Sequence, residues 1–128
     1  MSSQPVRLQA FAAVFTVAEV APSLRFYVDR LGFKVHFQMG DPPSYAIVER
    51  DAVSLHLMPA SQDARGLGRS SIYVFSAGVD RLHEELTARG CPIEVAPKDF
   101  DYGMREMSVR DPDGNRVTFG EEIEVAMT

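Results

Sequence analysis

The chain carries one layout twice, and that repeat limits its fold more than any single motif does. Leu24-Arg25-Phe26-Tyr27-Val28 leads to Leu31-Gly32-Phe33-Lys34-Val35, and Leu82-His83-Glu84-Glu85-Leu86 leads to Arg89-Gly90-Cys91-Pro92-Ile93, at an offset of 58. Further on, Ile47–Leu57 (IVERDAVSLHL) lies over Val109–Phe119 (VRDPDGNRVTF) at an offset of 62. Each half reads strand, helix, strand, strand, strand. The expectation is an α+β fold in which two βαβββ modules face each other across a pseudo-twofold, forming a cupped mixed sheet with a central cleft. The 128 residues allow one domain, not two independently stable ones. Module one is expected over about 10–59, a linker over 60–70 and module two over 71–124.

Periodicity fills in the elements. Phe11–Val17 is an apolar, β-branched run that reads as the first strand, after a short polar arm over residues 1–8. Pro22 suits the first turn of a helix. Leu24, Tyr27, Val28 and Leu31 then repeat at helical spacing, and Gly32 ends the helix. Val35–Phe37 follows as a strand, Asp41-Pro42-Pro43-Ser44 as a loop, and Tyr45–Glu49 with Val53–Met58 as a hairpin around Arg50-Asp51. Gly66-x-Gly68 in the linker lacks the third glycine of a phosphate loop and opens no helix. In the second half Ser71–Phe75 is the matching strand. Val79, Leu82 and Leu86 give a helix face, Glu85 and Arg89 have the i,i+4 spacing of an ion pair, and Gly90 closes the helix. Ile93–Ala96, Glu106–Arg110 and Arg116–Phe119 complete the module. Asp111-Pro112-Asp113-Gly114-Asn115 is a turn, because no ligating Glu follows at the distance a calcium loop needs.

Thirteen basic against eighteen acidic residues give a net charge of −5, which argues against nucleic acid, since phosphate binding needs a basic footprint. The lone Cys91 excludes an intrachain disulfide and fits a reducing compartment. No signal-like segment or membrane-length apolar run appears, so the sequence reads as cytoplasmic, without a membrane partner.

Strand side chains alternate between a helix-packed face and a cleft face. Burying Leu55 and Leu57 sends Ser54, His56 and Met58 to the cleft; burying Val117 and Phe119 sends Arg116, Thr118 and Gly120 there. The same parity offers Ala12, Val14, Thr16, Ser71, Tyr73, Phe75, Glu106, Ser108 and Arg110. Such a wall, mostly apolar and aromatic with few polar anchors, suits an organic ligand better than a bare ion.

LRFYVDRLGF (24–33), the repeat and YGMREMSVRDPDGNRVTF (102–119) resemble the vicinal oxygen chelate (VOC) superfamily of glyoxalases, extradiol dioxygenases, thiol transferases and bleomycin-resistance proteins, over roughly residues 10–124. Tyr-Gly-x-Arg-Glu followed by Arg-Asp-Pro-x-Gly-Asn is most similar to the bleomycin-resistance branch. The resemblance implies four metal-ligand positions in the enzymes, matched here by Ala12, His56, Ser71 and Thr118, with Ala13 or Ser70 as one-residue alternatives. Only His56 is a strong donor, so no metal site and no cofactor are expected. His56 has three open roles: a hydrogen-bonded imidazole in the wall, a ligand contact, or a general base. Glu106 either anchors a cationic ligand group or pairs with Arg105, Arg110 or Arg116. Tyr102 lies where bleomycin-binding relatives carry an aromatic residue at the cleft mouth, with Phe33, Phe37, Tyr73 or Phe75 as a second plate; Phe33 reads slightly better as core.

The resemblance favours a metal-independent protein that sequesters a drug or natural product as a means of antibiotic resistance. The ligand-binding residues are then His56, Tyr73, Phe75, Tyr102, Glu106, Thr118 and Phe37, none of them catalytic. The ligand is expected to be a small organic molecule, with a cationic, aromatic one favoured. The assembly is expected to be a homodimer, with exchange of the N-terminal strand between subunits as in the bleomycin-resistance proteins. The alternatives are a metal-dependent enzyme with a displaced site, such as His56 with Glu106 and a partner's residue, or a metal-free enzyme using His56 as base.

Overall fold

In the computed structural model, which describes residues 5–62 and 64–124, two four-stranded mixed sheets repeat one plan. Residues 1–4 of the expected arm and Asp63 of the linker lie outside the described residues. The first sheet has strand order β1-β4-β3-β2, from β1 (Ala13–Val17), β2 (Lys34–Met39), β3 (Tyr45–Arg50) and β4 (Val53–Pro59). The second has order β5-β8-β7-β6, from β5 (Ser71–Phe75), β6 (Val95–Phe100), β7 (Met104–Arg110) and β8 (Arg116–Glu122). In each the leading strand runs parallel to the last, and the other pairs are antiparallel.

The registers make the repeat physical. Ala13 pairs with Leu55, and Ile72 pairs with Val117, so equivalent leading strands are 59 residues apart and equivalent closing strands 62. Both second strands slip register where they join their neighbours, between Val35 and Phe37 and between Val95 and Lys98. Gly32 and Gly90 both take positive φ, +72° and +76°, where the chain leaves each helix. Here the modules cross: Arg30 donates to the carbonyl of Arg89 at 2.6 Å, and Arg89 to that of Asp29 at 3.4 Å.

One helix backs each sheet. Alternation along the strands buries Phe15, Val17, Val48, Leu55, Leu57, Met107, Val109 and Val117, with Tyr27, Leu31, Val79 and Leu86 coming from the helical segments. The first helix differs from the expectation. It runs as α1 (Val20–Arg25) and then widens into a π-helical turn over Phe26–Arg30, where Leu31 N–H reaches back to Phe26. Tyr27 is fully buried there, and its hydroxyl donates to Asp111 of the second module at 2.9 Å. The second helix, α2 (Val79–Ala88), has the expected extent and the expected Glu85–Arg89 pair, at 3.0 Å.

Several strand boundaries move: β2 runs two residues further, to Met39, β7 begins two earlier, at Met104, and β8 runs three further, to Glu122. The first strand begins at Ala13, two residues later than expected; its pairing with β4 starts at Ala13–Leu55, and Phe11 is left exposed. The sixth strand is Val95–Phe100 rather than Ile93–Ala96; Glu94 N–H bonds the Ser108 carbonyl before a register shift carries the strand on to Phe100.

The turn Asp111–Asn115 joins the modules. Buried Asp111 accepts from Tyr27, from Asn115 Nδ2 and from the backbone N–H of Asp113 and Asn115. Asn115 also donates to the Thr16 carbonyl at 3.1 Å and accepts from Ser70 N–H at 3.0 Å. Burial first, then the Asp111 carboxylate, pushes the Tyr27 phenol far above its ordinary range. A second clasp is bidentate, Arg50 to Glu85 at 2.8 Å on both arms. Among the described residues no helix is long and apolar enough to cross a membrane.

Candidate functional site

The cleft faces of the two sheets carry different chemistry. On the first, Val14, His56, Met58, Tyr45, Ile47, Phe37 and Met39 share one face by register. It is an apolar wall with one imidazole. His56 Nδ1 lies 2.8 Å from the Tyr45 hydroxyl, and the rings meet edge to face at 5.7 Å. Phe37 stands on the same face and is about half exposed. Thr16 has the cleft parity but is buried under the linker, where it bridges to Leu67, so it offers nothing to a ligand.

On the second sheet β5, β7 and β8 present Ser71, Tyr73, Phe75, Glu106, Ser108, Arg110, Arg116, Thr118 and Gly120. Of the expected residues, Tyr73, Phe75, Tyr102 and Glu106 come together here, with Thr118 on the same face, while His56 and Phe37 lie on the other sheet. Glu106 Oε2 accepts from Tyr73 at 2.7 Å and from Tyr102 at 2.8 Å. Tyr73 packs edge-on against Phe75, which is 78% exposed, and Tyr102 stacks on Phe100 with ring centroids 5.4 Å apart. Loss of hydration and then the Glu106 hydrogen bond push the Tyr73 phenol up to about 12; the Glu106 hydrogen bond likewise raises Tyr102.

Gly120 makes this arrangement possible. It sits opposite both Phe75 and Glu106, and a Cβ there would lie 1.9 Å from the Tyr73 hydroxyl. Only a residue without a side chain lets the tyrosine lie across β8 to reach the carboxylate.

The two readings of Glu106 are now separable. Arg105 is held by Asp80 and Asp99, at 3.0 and 2.8 Å, while Arg110 and Arg116 both engage Glu94. Lys98, directly opposite Glu106 in register, places its ammonium over the Phe100 ring at 5.3 Å. Among the described residues Glu106 therefore receives two neutral hydroxyls and no ion pair. A concavity of about 210 Å³ adjoins it, lined in part by Phe100, Glu106, Ser108, Arg116 and Thr118.

The positions that carry metal ligands in enzymes of this type do not fit a divalent ion. Ala12 has no donor, and Ser71 and Thr118 offer neutral hydroxyls. Sliding along the cleft faces meets Val14, Tyr73, Phe75, Arg116 and Gly120, and Ala13 points into the core. Among the described residues no three His, Cys, Asp or Glu side chains gather around a common point.

The sequence profile of the Glyoxalase/Bleomycin resistance protein/Dioxygenase superfamily matches residues 9–119. The chain belongs to that superfamily. A bleomycin resistance protein of Geobacillus stearothermophilus is 28% identical over 134 residues, covering 91% of this chain and 98% of the relative. Among solved structures, TioX from Micromonospora sp. ML1 superposes with a TM-score of 0.78 at 15% identity, over 90% of this chain and 99% of its own. TnmS3, an antibiotic binding protein from Streptomyces sp. CB03234, gives 0.70 at 22%, over 91% and 99%. Lactoylglutathione lyase from Agrobacterium tumefaciens gives 0.73 at 19%, over 92% and 96%. The fold is thus shared by a binder and a lyase, and the side chains must decide between them.

Sequence reasoning missed Tyr45, Phe100, Lys98 and the role of Gly120. Tyr45 was within reach: the hairpin register puts it diagonal to His56 on the same face. Phe100 and Lys98 lie beyond the end of the expected sixth strand, Ile93–Ala96. Phe33 is core, as the better of its two readings had it. Glu121 has a structural role that acidic composition hid, because its carboxylate accepts from Gly78 and Val79 N–H at the start of α2.

Proposed function

We propose that the protein binds and sequesters a small aromatic cation, without metal and without making or breaking a bond in the ligand. Glu106 carries this reading: a carboxylate with no ion pair, fixed by two phenols on an exposed aromatic face. Such a group attracts an ammonium or amidinium, while Tyr73, Phe75 and Tyr102 supply ring faces for the flat part of the ligand. Thr118 offers a hydroxyl beside it. His56 and Phe37 form the facing wall, an apolar plate with one imidazole. The kinship with a bleomycin resistance protein, matched over 91% of this chain, supports the same reading and, with it, a role in antibiotic resistance.

In this proposal the two walls of a working cleft come from different protomers of a homodimer. Both faces are open in one chain, and the polar contacts of His56 and of Glu106 stay within their own sheets. The N-terminal segment supports the exchange that the family resemblance implied, since Val6, Leu8 and Phe11 are each more than 90% exposed. Three apolar side chains projecting from one extended segment find cover against a second copy. The lone, buried Cys91 agrees with a reducing, cytoplasmic setting.

Equilibrium dialysis against cationic aromatic drugs, metal-free bleomycin among them, tests this reading. The expected result is one ligand per cleft, recovered with its mass unchanged, insensitive to chelator and weakened at least tenfold by Glu106→Gln. A ligand that returns chemically altered, or a Glu106→Gln variant that binds as well as wild type, contradicts it.

One observation favours a second reading. The Tyr45 hydroxyl fixes the His56 ring, as a positioned general base requires. A rate that steps with pH near neutrality and disappears in His56→Ala would replace binding with metal-free catalysis.

A further inference from the structure

The same concavity has a second pole, and it is positive. Glu94 sits between two guanidinium groups: Arg110 Nε engages one carboxylate oxygen, and Arg116 Nε donates to the other at 2.9 Å. Ser108 donates to that second oxygen as well, at 2.9 Å. Burial works against the Glu94 charge, but the bonds from Arg110, Ser108 and Arg116 outweigh it and hold the carboxyl below its ordinary range. Two cations on one anion leave a net charge of +1 (2 − 1) at this end.

The geometry leaves that charge available. Arg110 is also tied to the Gly114 carbonyl, at 2.8 Å. Arg116 spends only its Nε, so its terminal N–H groups have no partner among the described residues. A guanidinium pinned through Nε keeps its forked edge free, the edge that matches both oxygens of an oxyanion. Arg116, Thr118, Ser108 and Glu106 line one concavity. The β7–β8 register sets Glu106 opposite Gly120 and Arg110 opposite Arg116, four residues along, so the poles are separated by about 13 Å of strand.

We propose that the ligand of this site is bipolar: besides the basic group held at Glu106, it carries an oxyanion, a carboxylate or a phosphate or sulfate ester, held by the free edge of Arg116 with Thr118 beside it. This rests on the reading of Glu106 as a cation anchor and adds a specificity that reading lacks. A purely cationic ligand would cover the forked edge of Arg116 without giving it a partner, and the site would discriminate against it.

The test uses three biphenyl probes and the full chain. These are 4-phenylbenzylamine, biphenyl-4-carboxylate, and 4′-(aminomethyl)biphenyl-4-carboxylate, which joins the two groups. Affinities come from NMR titration, with the arginine Nε–H resonances of Arg116 and Arg110 as local reporters. The bipolar probe is expected to bind at least tenfold more tightly than the amine and to shift the Arg116 resonance. In Arg116→Gln that tenfold preference falls to about one; in Arg116→Lys, which keeps the charge and loses the fork, it is partly retained. A bipolar probe no better than the amine in wild type overturns the proposal while leaving the cation anchor standing. Conversely, if biphenyl-4-carboxylate shifts Arg116 while the amine binds equally to wild type and Glu106→Gln, the positive pole stands and the cation anchor falls. No shift from any of the three probes overturns both.

Discussion

The two cleft faces rest on nearly the same scaffold and share almost no side-chain chemistry. Equivalent strands, equivalent register slips and equivalent helix-ending glycines recur in both modules. Yet His56 is the one imidazole on an apolar wall, whereas the opposite module sets Glu106, Arg116, Tyr73 and Tyr102 on its face. What repeats is what packs: Leu55 and Val117, Leu57 and Phe119, Gly32 and Gly90. What fails to repeat is what a ligand would touch. The π-helical turn and buried Tyr27 of the first helix apart, divergence concentrated on the ligand faces means that the scaffold and the site can be disturbed separately.

The largest expected effect breaks the scaffold and spares the faces. Asn115→Ala removes a fully buried side chain that bonds the Thr16 carbonyl, Ser70 N–H and Asp111. It should cost about 3 kcal/mol, since it leaves buried polar groups unsatisfied, and urea unfolding would register the loss. A cost below about 1 kcal/mol would mean that the turn does not hold the modules together.

Next in size is Glu106→Gln, which should leave the urea midpoint nearly unchanged and weaken a cationic aromatic ligand by about 1.5–3 kcal/mol. The same variant has an optical signature. The Tyr73 phenol, pushed up to about 12 by loss of hydration and then by the Glu106 hydrogen bond, should titrate lower once the carboxylate is gone, while the part due to lost hydration stays. The difference in tyrosinate absorbance against pH between Glu106→Gln and Glu106→Gln/Tyr73→Phe isolates that change from the other three tyrosines.

A smaller effect sharpens the contrast from the other side. Phe37→Ala trims the apolar wall and should weaken an aromatic ligand by about 1 kcal/mol while leaving the Tyr73 titration untouched. If it moved that titration, the two faces would not be independent.

The smallest concerns the second clasp. Arg50→Ala should lower stability by about 1 kcal/mol, because the Arg50–Glu85 pair is only partly buried. The Arg50 hydrogen bonds hold the Glu85 carboxyl below its ordinary value. A carboxyl lowered on folding stabilises at pH values above its unfolded pKa, near 4.3, and loses that contribution as pH falls through the lower folded value. The wild-type and Arg50→Ala stability curves should therefore converge in acid.

Much of the scaffold was legible because it depends on short-range periodicity. Alternation at Leu55 and Leu57, and at Val117 and Phe119, fixed which way His56 and Thr118 face. The sixth strand is hard to read because Pro92 and Pro97 bracket the run Ile93–Ala96, and the charged Lys98-Asp99 pair hides its continuation. The π-helical turn at Phe26–Arg30 could not be read from spacing, since Leu24, Tyr27, Val28 and Leu31 satisfy an ordinary helix equally well. Tyr27 lies 84 residues from Asp111, and Gly78 lies 43 from Glu121, beyond any periodic signal. For Glu106 the sequence named three arginine partners, and only the structure shows them engaged elsewhere.

Native mass spectrometry tests the central claim most directly, on protein from cells grown with added Mn, Fe, Ni and Zn and then mixed with a cationic aromatic drug. The account predicts a dimer without stoichiometric metal that takes up the drug with its mass unchanged. One metal per protomer, removed by chelator together with ligand binding, would contradict it and make His56 the first residue to replace.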